Sequence, residues 1–238
     1  MRCTINKKRD HIPVRIEKGI GPFSHLKIEE RPELLIIKTE TSYKTYSSGV
    51  LGTGITETDT FYNRFVHKDY YSDTPSLEYE QYLMKENVRH EQIVGLMTAV
   101  WLKERAIYCY EGYGVRVASV ITAGVGNAVD ITADEAVPFY SSPGTINMFF
   151  FVEGTLTDAA FLQLFIAATE AKTKTLSQLG VIDPATKTIA TGTSTDSISV
   201  AASQQGPLYE YAGSMTALGQ AVAKLVKISL EQALKEKR

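Results

Sequence analysis

Three short segments of this chain join glycine to hydroxyl, carboxamide or carboxylate side chains beside apolar runs. They are Thr122-Ala123-Gly124-Val125-Gly126-Asn127, Gly144-Thr145-Ile146-Asn147 and Thr191-Gly192-Thr193-Ser194-Thr195-Asp196. Glycine lets a backbone approach a ligand closely, and successive N–H groups of a turn can hold a developing oxyanion. Hydroxyls and carboxamides would orient amides. A single such segment at a strand end is ordinarily a turn whose side chains hydrogen-bond their own backbone. Three with one layout point to a polar ligand surface. Asp196, flanked by hydroxyls and just before an apolar strand, reads as a general base or as a turn cap. Glu170 with Lys174 has the spacing of an ordinary helical surface pair. Lys172 differs: if buried it needs a carboxylate partner, and such pairs cluster at sites. His67, within Asn63-Arg64-Phe65-Val66-His67-Lys68-Asp69, is either a solvated strand end or a site residue.

The elements that must position these residues follow from periodicity. Residues 11–66 read as strands, including Leu34 to Ile37 and the alternating stretch around Tyr43 to Tyr46, broken by Gly49, Gly52 and Gly54. Thr74-Pro75 signals a helix start, and a helix over about 75–92 is expected, with Leu77, Tyr82, Leu83 and Met84 on its apolar side. Leu96 to Leu102, Ala106 to Tyr110 and Val115 to Ile121 read as an antiparallel meander, with turn chemistry at Glu111 to Gly114. Ile146 to Val152, after the turn-forming Ser141 to Gly144, is apolar on both faces and should be a central strand. Asp158 to Leu179 is the clearest helix, capped by Thr157. At about 100° per residue, Phe161, Phe165, Ala168, Leu176 and Leu179 share one side with Lys172 among them, while Glu170 points almost opposite. A turn at Asp183-Pro184, a strand from Ser197 to Ala201 and a helix from about Ser214 to Lys235, with Leu218, Val222, Leu225 and Val226 as its stripe, complete the chain. The expected fold is one α+β domain with helices packed on a mostly antiparallel sheet.

Composition excludes several classes. The 238 residues are 44% hydrophobic and 22% charged, within the globular range. Their net charge of −2, with no run of five like charges outside the last residues around Lys235 to Arg238, gives a nucleic-acid partner no electrostatic support. The mid-chain apolar run Ala159 to Ala168 is about half of the roughly 20 residues a bilayer span needs. Lys7, Lys8 and Arg9 precede His11, Pro13, Arg15 and Glu17 where a secretory signal would be apolar, so a cytoplasmic protein without a membrane partner is expected. Cys3 and Cys109 make no disulfide framework. No Gly-Lys pair, third fingerprint glycine or Gly-x-Ser-x-Gly elbow occurs, and His11, His25, His67 and His90 lie far apart without metal-ligand spacing. No metal and no nucleotide cofactor is predicted.

Thr122 to Ala128, Gly144 to Met148, Thr169-Glu170-Ala171-Lys172, Ala190 to Asp196 and Tyr211 to Gly219 occur in the order expected of the adenosylcobinamide amidohydrolase family, which the chain resembles. The resemblance runs from about Ser47, through Asn63 to Lys68, to the last helix. It implies hydrolysis of the amide joining aminopropanol to the corrin side chain, giving adenosylcobyric acid for cobalamin synthesis in corrinoid salvage. The partner it implies is a small-molecule corrinoid, with the cobalt as part of the substrate rather than a cofactor, and homo-oligomerisation is compatible with it. Built on the matching motifs, Asp196 or Glu170 is the expected base for a water or for the Thr193 or Thr195 hydroxyl, and Lys172 an acid or charge partner. Backbone N–H groups near Gly124 to Asn127, including Gly126, or at Gly192 are the expected oxyanion hole. Asn63, His67, Asn127, Thr145 and Asn147 are expected to bind substrate, with Tyr and Phe of the 61–71 region lining a broad cleft. Residues 1–40 match no family motif and are expected to form a β-rich extension, compact with an amidohydrolase domain over 41–238. Two rivals stand beside this reading: a non-catalytic corrinoid carrier on the same fold, and an amide hydrolase of another substrate with a threonine nucleophile.

Overall fold

The fold is that of a computed structural model, which describes residues 14–133 and 144–235. Cys3, His11, the Lys7 to Arg9 cluster, residues 141–143 of the expected turn and the charges beyond Lys235 lie outside the described residues. Four strands open the chain: β1 (Arg15–Lys18), β2 (Lys27–Glu30), β3 (Leu34–Ser47) and β4 (Gly54–Phe65). Helix α1 (Pro75–Lys85) is followed by β5 (Val94–Thr98), β6 (Ala106–Gly112), β7 (Val115–Val125) and the short β8 (Ala128–Val129). Then come β9 (Gly144–Val152), β10 (Thr155–Leu156), α2 (Asp158–Gln178), β11 (Gly192–Thr193), β12 (Ser197–Ala202), β13 (Leu208–Tyr209) and α3 (Ala217–Lys235). The main sheet runs β1-β6-β7-β9-β12-β3-β4-β5, with β2 paired to β3. Its pairs are antiparallel except β9 with β12 and β4 with β5, so the α+β reading of the sequence holds.

Alternation along β9 decides the layers. All nine of its residues are buried, as a central strand requires. Ile146, Met148, Phe150 and Val152 join a cluster with Phe161 and Leu164 of α2 and Leu218, Val222 and Leu225 of α3. Phe149 and Phe151 face the other way, into a cluster with Phe61, Val94, Leu96, Ala118 and Val120. Those partners come from strands far apart in the sheet order, so the sheet curls over its own inner face, and Phe61 meets Phe151 edge-on at 5.0 Å. A register shift between Lys38 and Tyr43 in the β3–β4 pair supplies the local bend. Helix α1 packs outside β3 and β4 through Tyr79 and Leu83.

The structure corrects three expectations. Helix α1 stops at Lys85 rather than near 92, because Asn87 takes a left-handed φ of 52°. Its buried stripe is Tyr79 and Leu83, one turn apart, while Leu77 and Met84 are exposed. The meander is a hairpin of β6 and β7 only, turned at Tyr113-Gly114; β5 pairs in parallel with β4 at the far end of the sheet, and Leu102 starts a 3₁₀ turn. Strand hydrophobicity does not reveal which neighbour it finds. Helix α2 keeps its expected span, with the Thr157 hydroxyl accepting from the Ala160 N–H at 3.1 Å. The stripe of α3 is buried as read, though the helix begins at Ala217.

Phe150 is wholly buried beneath the two helices. Phe150→Ala is expected to lower stability by about 3–5 kcal/mol, read from the urea midpoint at unchanged m-value.

Candidate functional site

On the inner face the strands change from apolar to polar at one end. β9 runs Phe151, Phe149, Asn147, Thr145; β7 runs Ala118, Val120, Thr122; β4 runs Phe61, Asn63. The polar ends meet. Asn63 Nδ2 donates to Thr122 Oγ1 at 3.0 Å, and Asn147 Nδ2 donates to Asn63 Oδ1 at 2.9 Å and to the Met97 carbonyl at 2.8 Å. Asn63, Thr122 and Asn147 are at most 1% exposed, so this is a buried, hydrogen-bonded floor.

Above it stands a wall of hydroxyls. β11 pairs with β8, bringing the segment around Asn127 against the segment around Gly192, and β12 starts beside β9. The Asp196 carboxylate locks these pieces. One oxygen accepts from the Ile146 N–H at 3.0 Å and from the Thr193 hydroxyl; the other accepts from the Thr193 N–H at 3.1 Å and from Lys172 Nζ. The Lys172 and Asp196 side chains are only 10% and 12% exposed, so the pair is largely withdrawn from solvent. Gly192 makes room for it: a Cβ there would lie 2.6 Å from the Asp196 carboxylate and 2.7 Å from Lys172 Nζ. Gly144 is equally constrained, since a Cβ would lie 2.8 and 2.9 Å from the backbone nitrogens of Gly126 and Asn127. On the open side, Asn127 Nδ2 donates to Ser194 Oγ at 2.7 Å, and the Thr145 and Thr195 hydroxyls bond each other.

The opposite rim is the loop between β4 and α1. A cleft of about 490 Å³ is lined by His67, Tyr70 and Tyr71 of that loop, by Met97 to Ala99, and by Asn127, Gly144, Thr145, Ser194 and Thr195 of the wall. The loop is pinned at both ends. The Val66 N–H donates to the Thr98 carbonyl at 2.8 Å, and Tyr70 Oη donates to Glu78 at 2.9 Å. Arg64 grips the same Glu78 with two bonds of 2.6 and 2.9 Å, its guanidinium 3.8 Å from the Tyr82 ring centroid. The Arg64 hydrogen bonds hold the Glu78 carboxyl below its usual value near 4.5, while burial first, then Glu78, raises the Tyr70 phenol.

The structure thus gathers Asp196, Lys172, Thr193, Thr195, Gly192, Asn127 and Thr145 into one wall, with His67 across the cleft. Asn63 and Asn147 lie beneath it, closed off from solvent. Gly124 is opposite Thr145 in the β7–β9 pair and is filled by Val100, which leaves no room for a Cβ. Glu170 is set apart: it is exposed on α2, in a separate shallow groove with Phe165, Ile166 and Thr169. Ser194 lies inside a motif read from the sequence yet was not singled out as a site residue. Met97 to Ala99 carry no local signal, since they reach the cleft only through the parallel β4–β5 pairing. Among the described residues, no group of three or more His, Cys, Asp or Glu side chains could hold a metal ion, and no helix is long and apolar enough to cross a membrane.

Fold and site together define an α+β protein with a cleft whose wall is built of hydroxyls, a carboxamide and backbone amides, suited to a polar small molecule. The chain belongs to the adenosylcobinamide amidohydrolase (CbiZ) family, whose model matches residues 20–238. An uncharacterized protein of Methanocaldococcus jannaschii is 29% identical over 176 residues, 66% of this chain and 69% of that protein.

Because the Glu78 carboxyl is held low when folded, its pair with Arg64 stabilises fully above the ordinary value near 4.5 and is lost as pH falls through the lowered one. Amide hydrogen exchange over Val66 to Tyr71, corrected for the intrinsic pH dependence, is expected to quicken on that acid descent. Glu78→Gln is expected to produce the same loosening at neutral pH.

Proposed function

We propose that this protein hydrolyses the amide of adenosylcobinamide, releasing adenosylcobyric acid and 1-amino-2-propanol in corrinoid salvage. The observation that carries this reading is the wall organised by Asp196, which assembles motif residues of the matched family at one open cleft. In the reaction, water adds to the carbonyl carbon, the C–N bond breaks, the amine leaves protonated and the acid remains as a carboxylate. Amides resist this, so the attacking oxygen must lose a proton and the carbonyl oxygen must be stabilised as it becomes an anion.

The residues divide those tasks. Asp196 is the proton acceptor, reached through the Thr193 hydroxyl that already donates to it, and Lys172 holds its carboxylate in line. Glu170, on the outer surface of α2, has no part in this scheme. The scissile amide lies against Ser194, Thr195 and Thr145, with the backbone nitrogens of Gly126 and Asn127 nearest the developing oxyanion. Asn127 orients substrate amides, while Asn63 and Asn147 act from below by holding Thr122 and the floor in place. Tyr70 and Tyr71 give the corrin an aromatic edge to rest on. The cleft lies within the roughly 300–1,000 Å³ range of ligand pockets, so it takes one edge of the macrocycle and leaves the rest outside.

Incubation with adenosylcobinamide, followed by mass spectrometry of the corrinoid, tests the reading. Loss of aminopropanol with gain of water is expected; tight binding without product would make the protein a carrier, and neither binding nor product would refute the corrinoid assignment. Asp196→Asn and Thr193→Val are expected to lower kcat by about 10²-fold or more. Asp196→Asn also strands Lys172, at a cost of about 3–5 kcal/mol, so its fold must be checked by circular dichroism; Thr193→Val leaves the ion pair intact and carries the test.

A further inference from the structure

We infer that the outer face of α2 is an interface between two copies of this chain, in which Glu170 of each copy pairs with Lys174 of the other. Helix α2 is more apolar than its own domain can cover. Phe161, Leu164 and Ala168 are buried in the cluster shared with the sheet and α3. Leu162 and Ile166, one turn apart on the outside, remain 58% and 57% exposed, with Phe165 half-buried beside them. A surface helix ordinarily carries one apolar stripe, so a second one calls for a second cover. Every residue lining the shallow groove on this face, from Phe165 to Ser177, belongs to α2, so among the described residues the groove has a floor and no facing wall.

The charges decide the occupant. Glu170 and Lys174 stand one turn apart in the groove, in the order that favours an ion pair within a helix, yet neither side chain makes an ion pair or hydrogen bond among the described residues. Two opposite charges left open on one face are self-complementary. About a two-fold axis crossing α2 between them, an antiparallel second α2 sets Glu170 of each copy against Lys174 of the other and closes two equivalent pairs. A partner of a single charge sign would be attracted by one of these residues and repelled by the other. Thr169 and Thr173 beside them are short enough for the two helix axes to approach to about 8–10 Å.

A specific interface takes about 800 Å² from each partner, more than two turns of one helix provide. The loop before α3 extends the face: Gln163 Oε1 accepts the Ala212 N–H at 2.7 Å, which sets that loop against α2, and its Tyr211 and Met215 are 63% and 89% exposed. The interface also backs on the site. The Thr173 hydroxyl donates to the Thr191 carbonyl at 3.0 Å, while Lys172 turns inward to Asp196. A second copy thus braces α2 from behind and leaves the cleft open, since none of the residues lining that cleft lies on α2.

Sedimentation velocity of the full-length protein over a range of concentrations tests the inference, and the wild type is expected to be a dimer. Glu170→Lys and Lys174→Glu are each expected to raise the dissociation constant by about 10- to 100-fold, because each sets like charges opposite one another twice. Mixed in equal amounts, the two variants are expected to associate as tightly as the wild type, since one copy then carries lysine at both positions and the other glutamate. That recovery also shows that both variants fold. A wild type that stays monomeric up to its solubility limit would overturn the inference and leave the groove to another ligand. A dimer indifferent to both reversals would place the contact on another face and overturn it as well. Variants with native circular dichroism that dissociate alone and do not recover on mixing would refute the reciprocal pairing.

Discussion

The Asp196 carboxylate is the interaction on which the site depends. It receives hydrogen bonds from a lysine on α2, from the first turn of backbone in β9 and from both the amide and hydroxyl of Thr193, so a single charged group fixes three elements against one another. A carboxylate largely removed from water is costly unless its lone pairs are met, and here each oxygen has two donors. Neighbouring glycines are a consequence. Gly192 leaves space for the ion pair and Gly144 lets the Gly126-Asn127 turn close over β9. With Asp196 committed in this way, the groups that the wall leaves facing the cleft are neutral hydroxyls and a carboxamide, while Lys68 and Asp69 line the opposite rim.

The curled sheet explains why such a wall exists at one end only. Phe149, Phe151, Phe61 and Val120 fill the inner face, and the next positions along the same strands are Asn147, Asn63 and Thr122. Polar groups so placed need partners, and the Asn63–Asn147–Thr122 chain joins three of them, leaving the Asn147 side-chain carbonyl oxygen buried without one. The strands therefore carry apolar packing into a polar floor without a loop between them. The rim loop is added from outside, pinned through Glu78 to Arg64, so that a mobile-looking stretch of sequence is held at a fixed distance from the wall.

Much of this was legible from residue types and order. Helix α2 was readable because its apolar arc is long and Thr157 caps it, and Lys172 stood out because a lysine inside that arc requires a partner. Asp196 was readable as important, but not as the partner, because the residues between them place no constraint that spacing alone reveals. Asn63 and Asn147 were read as substrate-binding residues; their burial was not legible, since it depends on strands that meet only when the sheet closes. Glu170 entered as a candidate base through the Thr169 to Lys172 motif, although the helical wheel already set it almost opposite Lys172. The parallel placement of β5, and with it Met97 to Ala99, was invisible to periodicity because an apolar run does not name its partner strand.

The proposed function has one central claim, that the amide of a corrinoid is cut in the cleft between the Asp196 wall and the His67 loop. The most direct measurement is a crystal structure of the Thr193→Val protein with adenosylcobinamide bound. The account predicts the corrin edge in the cleft, with the aminopropanol amide against Ser194, Thr195 and Thr145. Density for the corrinoid anywhere else, such as the exposed groove beside Glu170, would contradict it.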